Sequence, residues 1–216
     1  MDRSGAFFDD FAERFDTIYD GRRNAFMRWV DATFRSDMYL RFEKCFEFLG
    51  ELNGKTVFDV GCGSGPYIAE ALRRNASQVT GLDPAPGMLD LARRRVAQLG
   101  KTDKVAFLPG YFPDVRPKHK HDVAIVTGVM DYVEDPVSFL RALRESVTVG
   151  ASVTFPCNHW FRGPLRKVRY ALRKVDLWLY SRQRLEAIIR EAGFSRYTIH
   201  KIPGAGMDFV VWIKVS

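Results

Sequence analysis

The sequence predicts an α/β protein of the doubly wound kind, with a mostly parallel sheet, and three observations carry that expectation. From residue 54 onward, strand-length apolar segments alternate with amphipathic helical ones in the βα rhythm of a parallel sheet. The first of these strands runs directly into a glycine-rich turn that opens a helix, TVFDVGCGSG at 56–65. The chain closes with two strand patterns joined only by Pro203-Gly204-Ala205-Gly206. A connection that short makes the last strand antiparallel to its neighbour, because a parallel return needs a crossover.

Taken in order, residues 6–20 place Phe7, Phe11, Phe15 and Ile18 on one helical face, with Phe8 and Tyr19 beside it. A second helical pattern over 24–49 buries Phe26, Val30, Phe34, Met38, Phe42, Cys45, Phe46 and Leu49, and Gly50 stops it. Strands follow near 56–60, 78–82, 104–108, 122–127 and 151–156. Helices are expected near 65–74, 87–99, 135–146 and 181–192, with terminal strands over 194–202 and 207–215. One stretch breaks the rhythm. Residues 157–180, between the fifth strand and its helix, are too long for an ordinary loop and mark a functional insertion.

At 216 residues the chain buries a core without crosslinks, and it divides into a helical segment, 1–50, and a ligand-binding domain, 51–216. Cys45, Cys62 and Cys157 are odd in number, far apart and matched to no metal spacing, so buried thiols in a reducing, cytoplasmic setting are expected. The amino terminus has no long apolar core, and the longest apolar runs, such as FVVWI at 209–213, are strand-length. Neither a signal peptide nor a transmembrane segment is expected. The net charge of +7 is uneven: residues 1–150 hold 21 Lys/Arg against 22 Asp/Glu, whereas 151–216 hold 12 against 4. Six basic residues and no acid fall in FRGPLRKVRYALRK, 161–174. A solvated helix face and an anion-binding surface both fit such a run.

The glycine loop carries the chemistry. Gly61, Gly63 and Gly65 let the chain turn sharply and let a ligand lie against the backbone. A dinucleotide fingerprint needs a glycine at position 66, where Pro66 stands; proline suits the first turn of a helix but weakens a pyrophosphate reading. Asp59, two positions before the loop, suits a ligand with a cationic part. Asp83 ends the second strand 22 positions after Gly61, where an acid reaches ribose hydroxyls. Asp-x-Gly-x-Gly-x-Gly after a strand resembles motif I of the class I S-adenosylmethionine (SAM)-dependent methyltransferases, and DPAPGMLDLA resembles their next motif, with Ala85 in place of a serine. HDVAIVTGVMDYVEDP extends the likeness, which covers roughly 54–156.

This resemblance implies a Rossmann-like, mostly parallel seven-stranded sheet with the last strand antiparallel, helices on both faces and the amino-terminal helical segment as a lid over SAM. It implies cofactor contacts from Asp59, Gly61, Cys62, Gly63, Gly65, Asp83, Pro84, Met88, Gly110, Tyr111, Thr127, Gly128 and, from the lid, Tyr19. Cys62 is expected to serve as a small packing residue, and Tyr111 as an aromatic wall where the family often has an acid. Because ligands of open α/β sheets bind beyond the carboxyl ends of the strands, His119 and His121, which precede the fourth strand, are expected on the surface at the opposite edge. Methyl transfer needs alignment and, for a protonated acceptor, a proton acceptor. Asp131, Tyr132 and His159 are the candidates.

RNAFMRWVDATFR and VTFPCNHW echo a narrower group, the tetrapyrrole carboxyl methyltransferases of the magnesium-protoporphyrin type. In that reading Trp160, Arg162, Arg166, Arg169 and Tyr170 wall an anionic or aromatic small-molecule acceptor, free or held on a carrier protein. The reaction expected is transfer to oxygen, with no metal. Two rivals stand beside it: an RNA methyltransferase, motivated by the basic carboxyl-terminal third, and a SAM-binding partner protein without activity. The chain has no N/D-P-P-Y tetrapeptide and no catalytic cysteine motif, so nucleic acid is the lesser expectation.

Overall fold

The computed structural model describes residues 39–157, 178–203 and 208–215. A helix over residues 39–49 (α1) leads into β1 (Thr56–Val60), α2 (Pro66–Arg73), β2 (Gln78–Asp83) and α3 (Pro86–Gln98). A 3-10 turn (Thr102–Lys104), β3 (Val105–Pro109), β4 (His121–Val126), α4 (Pro136–Ser146) and β5 (Val147–Phe155) follow. The last elements are α5 (Arg182–Glu191), β6 (Arg196–Lys201) and β7 (Phe209–Lys214). The seven strands form one sheet in the order β3-β2-β1-β4-β5-β7-β6. β7 runs antiparallel to both β5 and β6, and the remaining pairs are parallel. The expected seven-stranded sheet with a reversed last strand is what forms. Among the described residues no helix is long and apolar enough to cross a membrane.

The pleat sorts side chains onto two faces. Phe58, Val60, Ala124, Val126, Val153 and Ile213 pack with Phe139, Leu140 and Leu143 of α4 and with Leu185 and Ile189 of α5. Val57, Val79, Val123, Ile125 and Trp212 face the other way, against Cys45, Phe46 and Leu49 of α1, Ile68 and Leu72 of α2, and Leu89 and Val96 of α3. Each such Leu, Ile or Phe contributes about 1.5–3 kcal/mol by leaving water. The α1 stripe expected from periodicity is the buried one, and it is held by aromatic contact: Phe42 and Phe46 lie with ring centroids 5.0 and 5.9 Å from Tyr67. Among the described residues no helix lies between β3 and β4; Phe112 packs there, 4.9 Å from Phe139 and 5.9 Å from Phe58.

Two expectations are corrected. β5 begins at Val147, directly out of α4, rather than at 151. His121 pairs with Val147 but Val123 with Gly150, so one extra residue bulges from β5 and breaks the alternation that marks a strand in sequence. His121 does lie at the amino-terminal edge, but it is not on the surface. It is 8% exposed, stacks on Phe58 and hydrogen-bonds through Nε2 to the Thr80 hydroxyl at 2.9 Å. Burial holds its pKa below the ordinary histidine value, which suits a neutral core imidazole. At that same edge Asp122 accepts from the Thr56 backbone N–H and hydroxyl at 2.7 and 2.9 Å, pinning β4 to β1. These bonds hold its carboxyl below the usual range. The opposite edge is left for ligands.

Candidate functional site

The strand order reverses direction between β1 and β4, and doubly wound sheets bind ligands in the crevice beyond the carboxyl ends at such a point. Register delivers the loops to one level there. Val60 is paired with Leu82 and Val126, and Asp83 with Pro109, so Gly61, Asp83, Gly110 and Thr127 leave the sheet side by side.

The loop after β1 is shaped by three residues in left-handed conformation, Gly61, Gly63 and Gly65, with φ of 70°, 50° and 77°. Only glycine adopts this region at no steric cost. A Cβ on Gly61 would lie 2.3 Å from Cγ2 of Val129, and one on Gly65 would lie 3.0 Å from Cβ of Ala92, so these two are also packing positions. Gly63 differs: a Cβ there meets nothing within 4 Å, which leaves its backbone open to a ligand. The backbone N–H groups of Gly61 and Cys62 donate to the Leu82 carbonyl at 2.8 and 3.0 Å, hooking the loop onto β2. Pro66 then takes the first position of α2, where its missing N–H costs nothing.

Asp83 joins the two βα turns. One carboxylate oxygen accepts from the Gly63 N–H at 2.9 Å, and the other accepts from the Ala85 N–H at 2.9 Å. The second bond starts α3, whose cap residue Ala85 offers no side-chain acceptor of its own. A carboxylate accepts about four hydrogen bonds, so this role is compatible with accepting the two hydroxyls of a ribose. Asp59 lies deeper, 1% exposed, and its Oδ2 has no hydrogen-bond partner. Burial and then the neighbouring Asp83 push its carboxyl up to about 8.

The remaining expected contacts divide. Cys62 is 3% exposed and its thiol is pushed well above the ordinary range by burial, so it packs rather than reacts. Its Sγ lies 3.0 Å from where a Cβ on Gly81 would stand. Met88 is buried with Ala85 behind α3, whereas Tyr111 is exposed at the edge. Thr127 and Gly128 follow β4, with the Gly128 N–H donating to the Thr154 hydroxyl at 3.1 Å. Asp131 is buried, Tyr132 half-buried, and the Asp131 carbonyl accepts from the Trp178 N–H at 2.9 Å. Tyr180 bridges to Cys157 and donates its hydroxyl to the Met130 carbonyl at 3.2 Å. Both ends of the insertion are thereby fastened beside the post-β4 loop. His159, Trp160, Arg162, Arg166, Arg169, Tyr170 and Tyr19, together with residues 1–38 of the helical segment 1–50 expected to form a lid, lie outside the described residues.

Two residues at this edge were not among those the sequence singled out. Arg41 of α1 pairs with Asp208, just before β7, at 3.0 Å across 167 positions. Tyr67, half-buried at the start of α2, has its phenol pushed above its ordinary range by burial. The position of Tyr67, directly after Pro66, was the one local clue available.

Residues 57–150 match the family described as "Methyltransferase domain". A tRNA U34 carboxymethyltransferase of Shewanella frigidimarina is 32% identical over 126 residues, covering 57% of this chain and 37% of that protein. A ubiquinone biosynthesis O-methyltransferase of Vibrio cholerae is 33% identical over 117 residues, covering 54% and 47%. The chain thus spans less than half the length of these curated relatives. A solved structure of magnesium protoporphyrin IX methyltransferase from Synechocystis, with bound S-adenosylhomocysteine (SAH), superposes with a TM-score of 0.75 at 18% identity, covering 97% of each chain. This establishes the class I methyltransferase fold for the chain.

Proposed function

We propose that this chain, which carries a class I SAM-dependent methyltransferase domain, moves the methyl group of SAM to an oxygen of a small or carrier-held acceptor bearing an anionic group on an apolar or planar body. The observation that carries the cofactor half is the edge assembly, in which the open Gly63 backbone and the Asp83 carboxylate lie at the switch point with the partnerless Asp59 oxygen beneath them in β1. These residues fit SAM: a diol for Asp83, a backbone approach at Gly63, and a cation for Asp59. When bound, SAM supplies a sulfonium-activated methyl for in-line displacement. The protein's part is then to hold, align and keep dry. Asp83 fixes the ribose and both loops at once, and Met88 and Tyr111 flank the adenine. Asp131, Tyr132 and His159 stand nearest the transferred methyl, with His159 the group whose ordinary pKa suits a base. Trp160, Arg162, Arg166, Arg169 and Tyr170 face the acceptor, arginine because its planar fork grips two anionic oxygens.

The test is transfer from methyl-labelled SAM in host extract, fractionated into small molecules, protein and RNA. Label in a small molecule or on a carrier supports the proposal, and release by mild base identifies an ester oxygen. Arg166→Ala and Arg169→Ala then raise the acceptor's KM without changing SAM affinity. A second reading, an RNA acceptor, is favoured by the Shewanella relative's name and by the basic residues 151–216. Nuclease-sensitive label, with binding that falls steeply with salt, would give it precedence. Binding of NAD without SAM would overturn both.

A further inference from the structure

We propose that Asp59 is a proton-releasing counter-charge, protonated in the free site and giving its proton to solvent as the cationic cofactor binds; this rests on the SAM reading above. The geometry favours the neutral carboxyl when the site is free. Asp59 is the penultimate residue of β1, between Gly81 of β2 and Ile125 of β4, 1% exposed, with one oxygen unbonded. An ionised carboxylate buried that way is strongly disfavoured unless a cation or donors meet it.

Among the described residues, the titratable groups acting in its surroundings are Cys45 of α1, Cys62 of the loop, Tyr67 of α2 and Asp83 at the end of β2. None is positive. Cys45, Cys62 and Tyr67 are pushed upward by burial, and Asp83 repels a second negative charge. The cations of α1, α2 and α3 act elsewhere: Arg41 on Tyr67, Arg74 on Cys45 and Arg93 on Cys62. What perturbs Asp59 itself is burial first and Asp83 second. A ligand bringing positive charge reverses this balance, and the carboxyl then ionises to become its partner.

The linkage follows in sign and size. With the free carboxyl near 8, about 0.9 of a proton is held at pH 7 and is lost on binding. SAM affinity therefore rises with pH, by up to about tenfold per unit below pH 8, and levels off above it. The α-amino group of SAM titrates in the same region, near 8, so the infrared readout on Asp59 itself separates the two groups.

The experiment is titration calorimetry of SAM at pH 7 in buffers of different ionisation enthalpy, with the wild type and Asp59→Asn. The slope against buffer enthalpy counts protons. The expected result is about one more proton released by the wild type, with Kd falling several-fold from pH 6.5 to 7.5 in the wild type only. Isotope-edited infrared of the wild type gives a readout that does not depend on the variant: a protonated carboxyl band present without SAM and lost with it. Equal proton counts, or no such band in the free protein, would overturn this inference while leaving SAM binding intact. No SAM binding at any pH would remove the cofactor reading, and this inference with it.

Discussion

Replacing Asp59 by Asn is expected to stabilise the cofactor-free protein at neutral pH, at the cost of function. In the unfolded chain this carboxyl titrates at its ordinary value of 3.8, whereas in the fold it is raised to about 8. The folded state binds the proton more tightly. Its stability contribution is therefore complete below about pH 4, declines as pH rises, and is fully lost above about 8. At pH 7 the fold must take up a proton that the unfolded chain lacks, which costs about 4 kcal/mol at 1.4 kcal/mol per pH unit. Asparagine has the same shape and needs no proton. Its amide adds donors, and leaving one unsatisfied costs about 1–3 kcal/mol, so the net gain is about 1–3 kcal/mol at pH 7. For a chain of this length that raises Tm by about 3–10 °C. Thermal and urea melts of both proteins from pH 4 to 8.5, without SAM, measure it. The variant should be no more stable than the wild type at pH 4 and should gain steadily as pH rises. A difference between the two proteins that does not change with pH would refute the reasoning.

The glycine loop predicts a contrast. Gly61→Ala drives a methyl into Val129 and should cost about 2–4 kcal/mol in a urea melt, whereas Gly63→Ala should cost only about 1 kcal/mol yet weaken SAM binding in calorimetry. Equal stability losses would contradict the assignment of Gly63 to the open side. Asp83→Ala removes the acceptor for two backbone amides as well as the ribose partner, so both stability and SAM affinity should fall, by about 1–3 kcal/mol each; unchanged SAM affinity would displace Asp83 from the site. A double-mutant cycle on Arg41→Met and Asp208→Asn should return a coupling of about 1–3 kcal/mol, since both partners are largely buried, and additive effects would reduce the pair to a surface contact.

What the sequence determined by itself was what rests on local spacing. The strand into Gly61, Gly63 and Gly65, the helix that Pro66 opens, the acid at Asp83 and the Cys45–Leu49 stripe are short-range patterns. Cys62 as a packing residue was legible for the same reason, because a small apolar side chain inside a tight loop has no room to do otherwise. The antiparallel last strand followed from the shortness of its turn. The order of strands, and hence the switch point between β1 and β4, was decided by pairing between segments far apart in the chain. The same holds for the Arg41–Asp208 pair, and for the early start of β5, where a bulge hides the strand period. His121 shows the limit most plainly. Its place before the fourth strand suggested a surface at the far edge, but the tertiary structure offered the Thr80 hydroxyl to Nε2 and the Phe58 ring to its face, and it buries the imidazole in neutral form although Nδ1 has no partner. Asp59 is the converse case: its place before the loop was readable, but only the packed sheet and helices deny its carboxyl water and leave its Oδ2 without a partner, which raises its pKa.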